Sequence, residues 1–265
     1  MGRAKEIIVK VIPAKIANEF VKKHHYSKKA VMSQLHFGCF LDNKLHGVMS
    51  FGTSTVKNNI IHLVENTGWN EFIELNRMAF DDYLPKNSES RCLSIAIKLI
   101  KKNAPHIKWI VSFSDACQSG DGTIYRASGF YLTGLKKNTS NILLPNGEIC
   151  NTISFTDGKS NWCFKIRSLG YTSKTKYLNE HQKGWKFIDG FQLRYIYLID
   201  KTCKITVPIL PFSKIDEMGA GMYKGEKITQ AERQLTSAGS VKAAQQATSL
   251  QEGFESTPAL NKTGD

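Results

Sequence analysis

Hydrophobic positions along the chain change their period several times, and each change marks an element. Residues 5–12 are short and β-branched, which predicts a strand. Pro13 suits the first turn of a helix, and Ile16, Ala17, Phe20 and Val21 then recur at helical spacing. Two apolar runs, 35–41 and 45–51, flank Asp42, Asn43 and Lys44 and predict a hairpin. Residues 71–80 read as a further strand, followed by a polar loop over 81–90. The best helix comes next. Cys92, Leu93, Ile95, Ala96, Leu99 and Ile100 form its apolar stripe, Ser88 or Ser90 can cap it, and Asn103 with Pro105 stops it. A continuous apolar run over 107–115 predicts a buried strand. A short helix over 123–128 ends at Gly129 and leads into another strand over 130–133. Beyond lie turn-rich segments and one late strand at 191–199.

This order predicts an α/β fold: a mixed central sheet flanked by helices, with a strand–helix–strand crossover in its middle. Ligands in such sheets sit beyond the C-terminal ends of strands, where neighbours diverge. The strand ends at 77–80 and 112–115 flank one crossover helix and are therefore expected side by side.

Composition narrows the setting. Of 265 residues, 36 are Lys or Arg and 23 are Asp or Glu, a formal charge of +13, and 41% are apolar. No run approaches the roughly 18 consecutive apolar residues of a membrane span, and the first residues carry no apolar secretory core. The 6 cysteines stand far apart, which favours reduced, buried thiols in a cytoplasm over four-ligand zinc or a disulfide framework. No P-loop, Gly-x-Ser-x-Gly or His-Glu-x-x-His signature occurs, so hydrolase and NTPase chemistry lose support. Residues 219–265 balance their charges and hold few large apolar side chains, predicting a flexible, low-complexity tail with at most a short helix over 229–235. The whole surplus of +13 thus belongs to a domain over 1–218. A basic face releases counterions from a polyphosphate, or simply keeps a protein soluble. Charge alone leaves both readings open. Late aromatics and cations, among them Trp162, Lys165, Arg167, Tyr171 and Trp185, interleave as a nucleic-acid surface does, or as satellite packing with solvated lysines.

At the expected crevice, the helix starting near residue 88 aims unsatisfied backbone donors at any ligand, with Lys86 and Arg91 beside them. A pyrophosphate such as that of coenzyme A suits this end, and so does an ordinary capped helix. Arg77, in an otherwise apolar strand, can grip a carboxylate or phosphate, or pair internally with Asp115 or Glu74. Asp115 can serve as a base or orient an amine, or cap the following turn. Tyr125 can protonate a leaving thiolate, or simply pack. Adjacent His24 and His25 cannot face one way on a helix, so a metal site using both is disfavoured, although one of them can still be a ligand.

The run 123–131, Thr-Ile-Tyr-Arg-Ala-Ser-Gly-Phe-Tyr, resembles the short helix and following strand of GNAT-type acyltransferases. More specifically, Glu-Leu-Asn-Arg-Met-Ala-Phe at 74–80, Lys-Asn-Ser-Glu-Ser-Arg at 86–91, Ser-Phe-Ser-Asp at 112–115, Gly-Thr-Ile-Tyr at 122–125 and the upstream His25-Tyr26-Ser27 are similar to the phage Mom family, over roughly 6–213. The resemblance implies a GNAT-like fold that converts adenine in phage DNA to N6-(carbamoylmethyl)adenine, protecting it from host restriction endonucleases. It implies acetyl-CoA as cofactor, double-stranded DNA and an acyl-CoA as partners, no membrane, action in the host cytoplasm, and a homodimer as one option. It further implies Arg77, Asp115 and Tyr125 as active-site residues, His25 and Tyr26 at the site with Tyr26 expected among the catalytic residues, and Ser90 at the cofactor phosphates, where the helix start places Lys86, Ser88 and Arg91 as further expected contacts. The segment 86–91 departs from the usual glycine-rich pyrophosphate loop, which limits close backbone approach. Acetyl transfer alone gives an amide on N6. A carbamoylmethyl group requires attachment through the methyl carbon and a further nitrogen, and iron held by His25 is one expectation for activating that carbon. The alternatives are an N-acetyltransferase acting on a protein or small amine, and an inactive DNA-binding module.

Overall fold

The computed structural model describes residues 3–158 and 160–232. The chain forms two compact units, Met1–Glu226 and Lys227–Asp265. In the second unit, the Thr229 N–H and hydroxyl both donate to Glu232 while the Glu232 N–H returns to Thr229 Oγ1, a capping box opening a helical turn. The rest of the helix expected over 229–235, and the remainder of the tail, lie outside the described residues.

The first unit begins with a 3-10 turn, Arg3–Glu6, and β1 (Ile8–Val11). Pro13 then precedes α1 (Ala14–His24). β2 (Leu35–Leu41) and β3 (Lys44–Gly52) are joined by two residues, Asp42 and Asn43, with φ of 50° and 60°. These left-handed values match the twist of the strands, as hairpin turns require. The short α2 (Lys57–Ile60) leads to β4 (Phe72–Phe80), α3 (Ser88–Asn103), β5 (Trp109–Ala116), α4 (Thr123–Ala127) and β6 (Tyr131–Lys137). After an excursion described below, β10 (Phe191–Leu198) returns to the sheet and α7 (Ser213–Glu217) follows.

The sheet order is β1-β2-β3-β4-β5-β10-β6. Only β4 and β5 run parallel, because only they are joined by a crossover helix; every other pair is antiparallel. The mixed α/β sheet expected from the sequence is present. Strand alternation explains how both faces are covered. Met49, Leu75 and Ile110 pack with the α3 residues Cys92, Leu93, Ala96, Ile97 and Ile100, whereas Val48 and Ala79 pack with Ala17 and Val21 of α1. On the same side as α1, Phe72, Trp109, Val111 and Ile196 meet Ile60, Leu63 and Ile205. Each such large apolar side chain, fully buried, contributes about 1.5–3 kcal/mol.

The sequence reading misses the excursion between β6 and β10. It holds β7 (Asn141–Leu143), β8 (Ile149–Asn151) and β9 (Lys186–Phe187) in a small sheet of order β8-β7-β9, with α5 (Asn161–Ser168) and α6 (Lys174–His181). Ile142, Leu144, Phe155, Ile166, Tyr177 and Leu178 give this lobe its own core, against which Trp162, Tyr171 and Trp185 are half-buried. For those three aromatics, satellite packing is the arrangement found. The ordered chain also passes Met218, where the sequence composition changes. Ala220 and Met222 are buried in the main core, and Met222 exchanges hydrogen bonds with Asp121 at 3.0 and 3.1 Å. Five of the cysteines are buried, Cys203 is half-buried, and all are free thiols. No described helix is long and apolar enough to cross a membrane.

Gly122 precedes α4 with φ of 86°, and a Cβ there would stand 2.4 Å from the Tyr195 ring. Gly122→Ala is expected to cost about 2–4 kcal/mol, from left-handed strain plus overpacking, read as a fall in melting temperature.

Candidate active site

The β4–β5 ladder has three pairs, Phe72 with Trp109, Ile73 with Ile110 and Glu74 with Val111. Beyond them the strands part, and a cavity of about 580 Å³ opens in the gap. Arg77 and Asp115 lie just past the last pair, and both line the cavity with Tyr26, Tyr125 and His25. Asp115, four residues after Val111, shares its face and so stands on the side of the sheet covered by α1, from whose end Tyr26 reaches it. Tyr125 instead packs with Phe130 and Tyr195 in the core on the opposite, α3-covered side. The divergence of two strands thus lets both faces contribute to one pocket.

Asp115 is a densely held carboxylate. Oδ1 accepts from the Cys117 N–H at 3.0 Å and Gln192 Nε2 at 2.9 Å. Oδ2 accepts from Gln118 Nε2 and Asn141 Nδ2, each at 3.0 Å, and from the Tyr26 hydroxyl at 3.4 Å. Asn141 comes from the small lobe and is itself fixed by Asn151 at 3.0 Å. Asp115 thus caps the following turn and also lines the cavity. Withdrawal of the Tyr26 hydroxyl from water, reinforced by the charge of Asp115, raises its pKa above the ordinary phenol value.

Arg77 does not pair with Asp115 or Glu74. Nε donates to the Lys29 carbonyl at 3.0 Å and Nη1 to the Asn76 carbonyl at 2.7 Å, which leaves Nη2 without an acceptor among the described residues. Burial pulls its pKa down, opposed by Tyr26 and Glu74, but an arginine stays charged at neutral pH. Burial raises the Glu74 carboxyl, against hydrogen bonds from Ser54 and Asn76 and the charge of Arg77. Tyr125 is buried, its ring 5.2 Å from Tyr195 and 5.4 Å from Phe130 between centroids. Burial raises its pKa too, so the phenol keeps its proton.

His25 is buried, and its Nδ1 accepts from the Ser27 N–H at 3.1 Å and lies 2.8 Å from Ser27 Oγ. The neutral ring therefore carries its proton on Nε2. Burial, with Arg77 and Lys28 adding repulsion, lowers its pKa from 6.5 to about 4. The residues do not fit the iron expected at His25. Nδ1 is engaged, and among the described residues no group of three His, Cys, Asp or Glu is placed to hold a metal ion. Within the window from pH 6.5 to about 4 the unfolded chain takes a proton that the folded chain refuses. Stability is thus expected to fall as pH drops through it, by up to about 3 kcal/mol. In thermal melts from pH 7 to 4, His25→Gln should lose less stability than the unsubstituted protein.

At the other end of the cavity, α3 starts from Asn87, whose φ of 68° is left-handed. Asparagine tolerates this conformation, so it supplies the turn for which glycine is usual. The Ser88 N–H bonds Pro85 and that of Arg91 bonds Asn87, so the N–H groups of Glu89 and Ser90 remain as open donors of the first turn. Lys86, Asn87, Glu89 and Ser90 line the cavity. Two expected contacts fail. Ser88 is fully buried, with its hydroxyl on the Pro85 carbonyl at 2.5 Å. Arg91 points away, donating to the Ala4 carbonyl at 2.8 Å and the Lys5 carbonyl at 3.5 Å. Nor does either serine accept as a cap, since Ser90 Oγ donates to Asn87 at 3.2 Å. Opposite, the fully buried Asp121 pairs with Arg126 at 2.8 Å and anchors the loop before α4. Sequence reasoning missed Asn141, Gln192, Gln118 and Asn87. Only Asn87, a left-handed-tolerant residue just before a helix, carried a local signal.

Several solved acetyltransferase structures are similar in outline. An Escherichia coli ribosomal-protein-S18-alanine N-acetyltransferase aligns at a TM-score of 0.40 and 10% identity, over 73% of this chain and 94% of that one. A Bacillus subtilis acetyltransferase in complex with CoA aligns at 0.39 and 10% identity, over 72% of this chain and 98% of that one. A methylcarbamoylase named mom, from Escherichia phage Mu, is 36% identical over 137 residues, 51% of this chain. The chain spans 57% of that relative's length. The Mom protein family model matches residues 6–214, a stretch holding every cavity residue from His25 to Tyr125 together with Asn141 and Gln192, and the chain therefore belongs to the Mom family.

Proposed function

We propose that this protein is a DNA-modifying transferase that acts on the N6 of adenine in double-stranded phage DNA, forming N6-(carbamoylmethyl)adenine and so blocking host restriction endonucleases. The observation that carries the reading is the convergence of Arg77, Asp115, Tyr26 and Tyr125 on one cavity that ends at the open first turn of α3. Membership of the Mom family and the +13 charge agree with it. Such action on phage DNA takes place in the host cytoplasm.

An adenine must leave the base stack before N6 is reached, at a cost of a few kcal/mol that phosphate contacts offset. The N6 lone pair is delocalised into the ring, which makes the amine a poor nucleophile. Asp115 Oδ2 accepts the N6–H in place of the Tyr26 bond, which at 3.4 Å is the longest it makes. Arg77 Nη2 holds the oxygen of the transferred fragment, and Tyr125 keeps a proton available at its hydroxyl for a leaving group. An acyl-CoA, acetyl-CoA in the simplest case, would be held by the Glu89 and Ser90 N–H groups, Lys86 and the Ser90 side chain, and would supply the two-carbon fragment; joining its methyl carbon to N6 also takes a two-electron oxidant, and displacing the thiolate as the amide takes a nitrogen donor such as ammonia, both as co-reactants from outside this chain. Digesting DNA co-expressed with the protein to nucleosides and weighing them tests the reading. An N6-(carbamoylmethyl)deoxyadenosine peak, missing with Asp115→Ala, is the expected result. Acetyl-CoA turnover on amines with unaltered DNA would replace this function by ordinary N-acetylation.

A further inference from the structure

β6 and β10 are antiparallel neighbours, which a turn of about two to five residues is enough to join. The chain instead builds the whole lobe between them, so the sheet itself does not require that segment. Lys137, where it leaves, pairs with Phe191, where it returns, and Phe191 pairs on its other side with Ala116. The lobe is thus rooted at the end of the sheet that bears Asp115, and Asn141 extends from it to that carboxylate.

Its surface is unlike that of a lobe built only to pack. Over 138–188, seven Lys or Arg stand against three acids. Lys165, Arg167, Lys176, Lys183 and Lys186 are exposed, and no ion pair among the described residues engages them. Two of the acids are turned to neighbours within the lobe, Glu148 to Trp162 and Cys150, Glu180 to Tyr171. Phe164 and Phe187, 62% and 47% exposed, stand among the cations although the lobe core has no place for them. Unpaired cations interleaved with open aromatic rings are complementary to phosphates flanking unstacked bases.

We infer that this lobe is the docking element for duplex DNA, gripping the backbone beside the adenine offered to Asp115; the inference rests on the DNA reading above. Phosphate contacts of this kind fix position without reading sequence, so the lobe supplies affinity and register while the cavity supplies chemistry. The test is anisotropy titration of a labelled duplex with the full chain over a range of salt, using Lys165→Glu/Arg167→Glu and, away from any helix, Lys183→Glu/Lys186→Glu. Unchanged melting temperature in each double variant verifies the fold. Either pair is expected to weaken the Kd at least about tenfold and to flatten the slope of log K against log salt by about 2, since each phosphate no longer neutralised removes about 0.9. Unsubstituted affinity and slope in both double variants would overturn the lobe's role and leave the adenine reading intact. An unsubstituted protein with no duplex affinity would overturn both.

Discussion

Asp115→Asn is expected to reduce adenine-adduct formation at least about 100-fold, within the range for loss of a positioned proton acceptor. The Cys117 N–H is backbone and cannot turn away, so the amide oxygen of the new side chain takes the Oδ1 position. Its NH2 group then faces Gln118, Asn141 and Tyr26, all of which donate to Oδ2 now. Gln118 can flip and Tyr26 can accept, but Asn141 is fixed, because its own oxygen already accepts from Asn151. One donor remains unsatisfied, at about 1–3 kcal/mol of stability. The variant should therefore fold, melt a few degrees lower, and leave DNA binding in place while the nucleoside adduct disappears. Near-normal adduct yield would show that the carboxylate only ties the turn.

Arg77→Lys keeps the charge and loses the fork. Two of the guanidinium's nitrogens are spent on the carbonyls of Lys29 and Asn76, which fixes the plane of the third. An ammonium on a flexible stem can satisfy those carbonyls or a bound fragment, but not all at once. Loss of one preorganised donor is worth about 100- to 1000-fold in rate, so adduct yield at saturating DNA should drop by that factor with the duplex Kd unchanged. Because Nε also ties down the Lys29 carbonyl, Arg77→Ala should additionally free the 27–34 segment. It should cost stability that Arg77→Lys does not.

Much of this site was legible in the sequence because the sheet's centre is written in long, unambiguous patterns. The apolar run ending at Asp115 and the periodic stripe from Cys92 to Ile100 left a single crossover, which forced Arg77 and Asp115 to the same sheet end. The turn at Asp42 and Asn43 announced itself through residues that accept positive φ. What was illegible turns on rotation about an axis or on distant pairing. Nothing local tells whether Arg91 faces the cavity or the N-terminal turn, and the answer depends on carbonyls of Ala4 and Lys5, far upstream. Ser88 looked like a cap, yet the left-handed Asn87 moved the helix start and turned that serine inward. The lobe escaped notice because its strands are two or three residues long, too short to show alternation. Asn141 and Gln192 find Asp115 only through the packing of that lobe and the register of β10.

The short parallel seam between β4 and β5 has a mechanical meaning. Within the sheet only three ladder pairs join its two leaves, each otherwise laced by long antiparallel registers, while α3 on one face and the cluster around Phe72 and Trp109 on the other span the seam near its paired end. A wedge driven between the leaves meets least resistance there, and local opening should begin there well before the leaves themselves melt. The fold thus offers a built-in crack whose width a bulky guest can adjust by a slight rocking of two rigid plates.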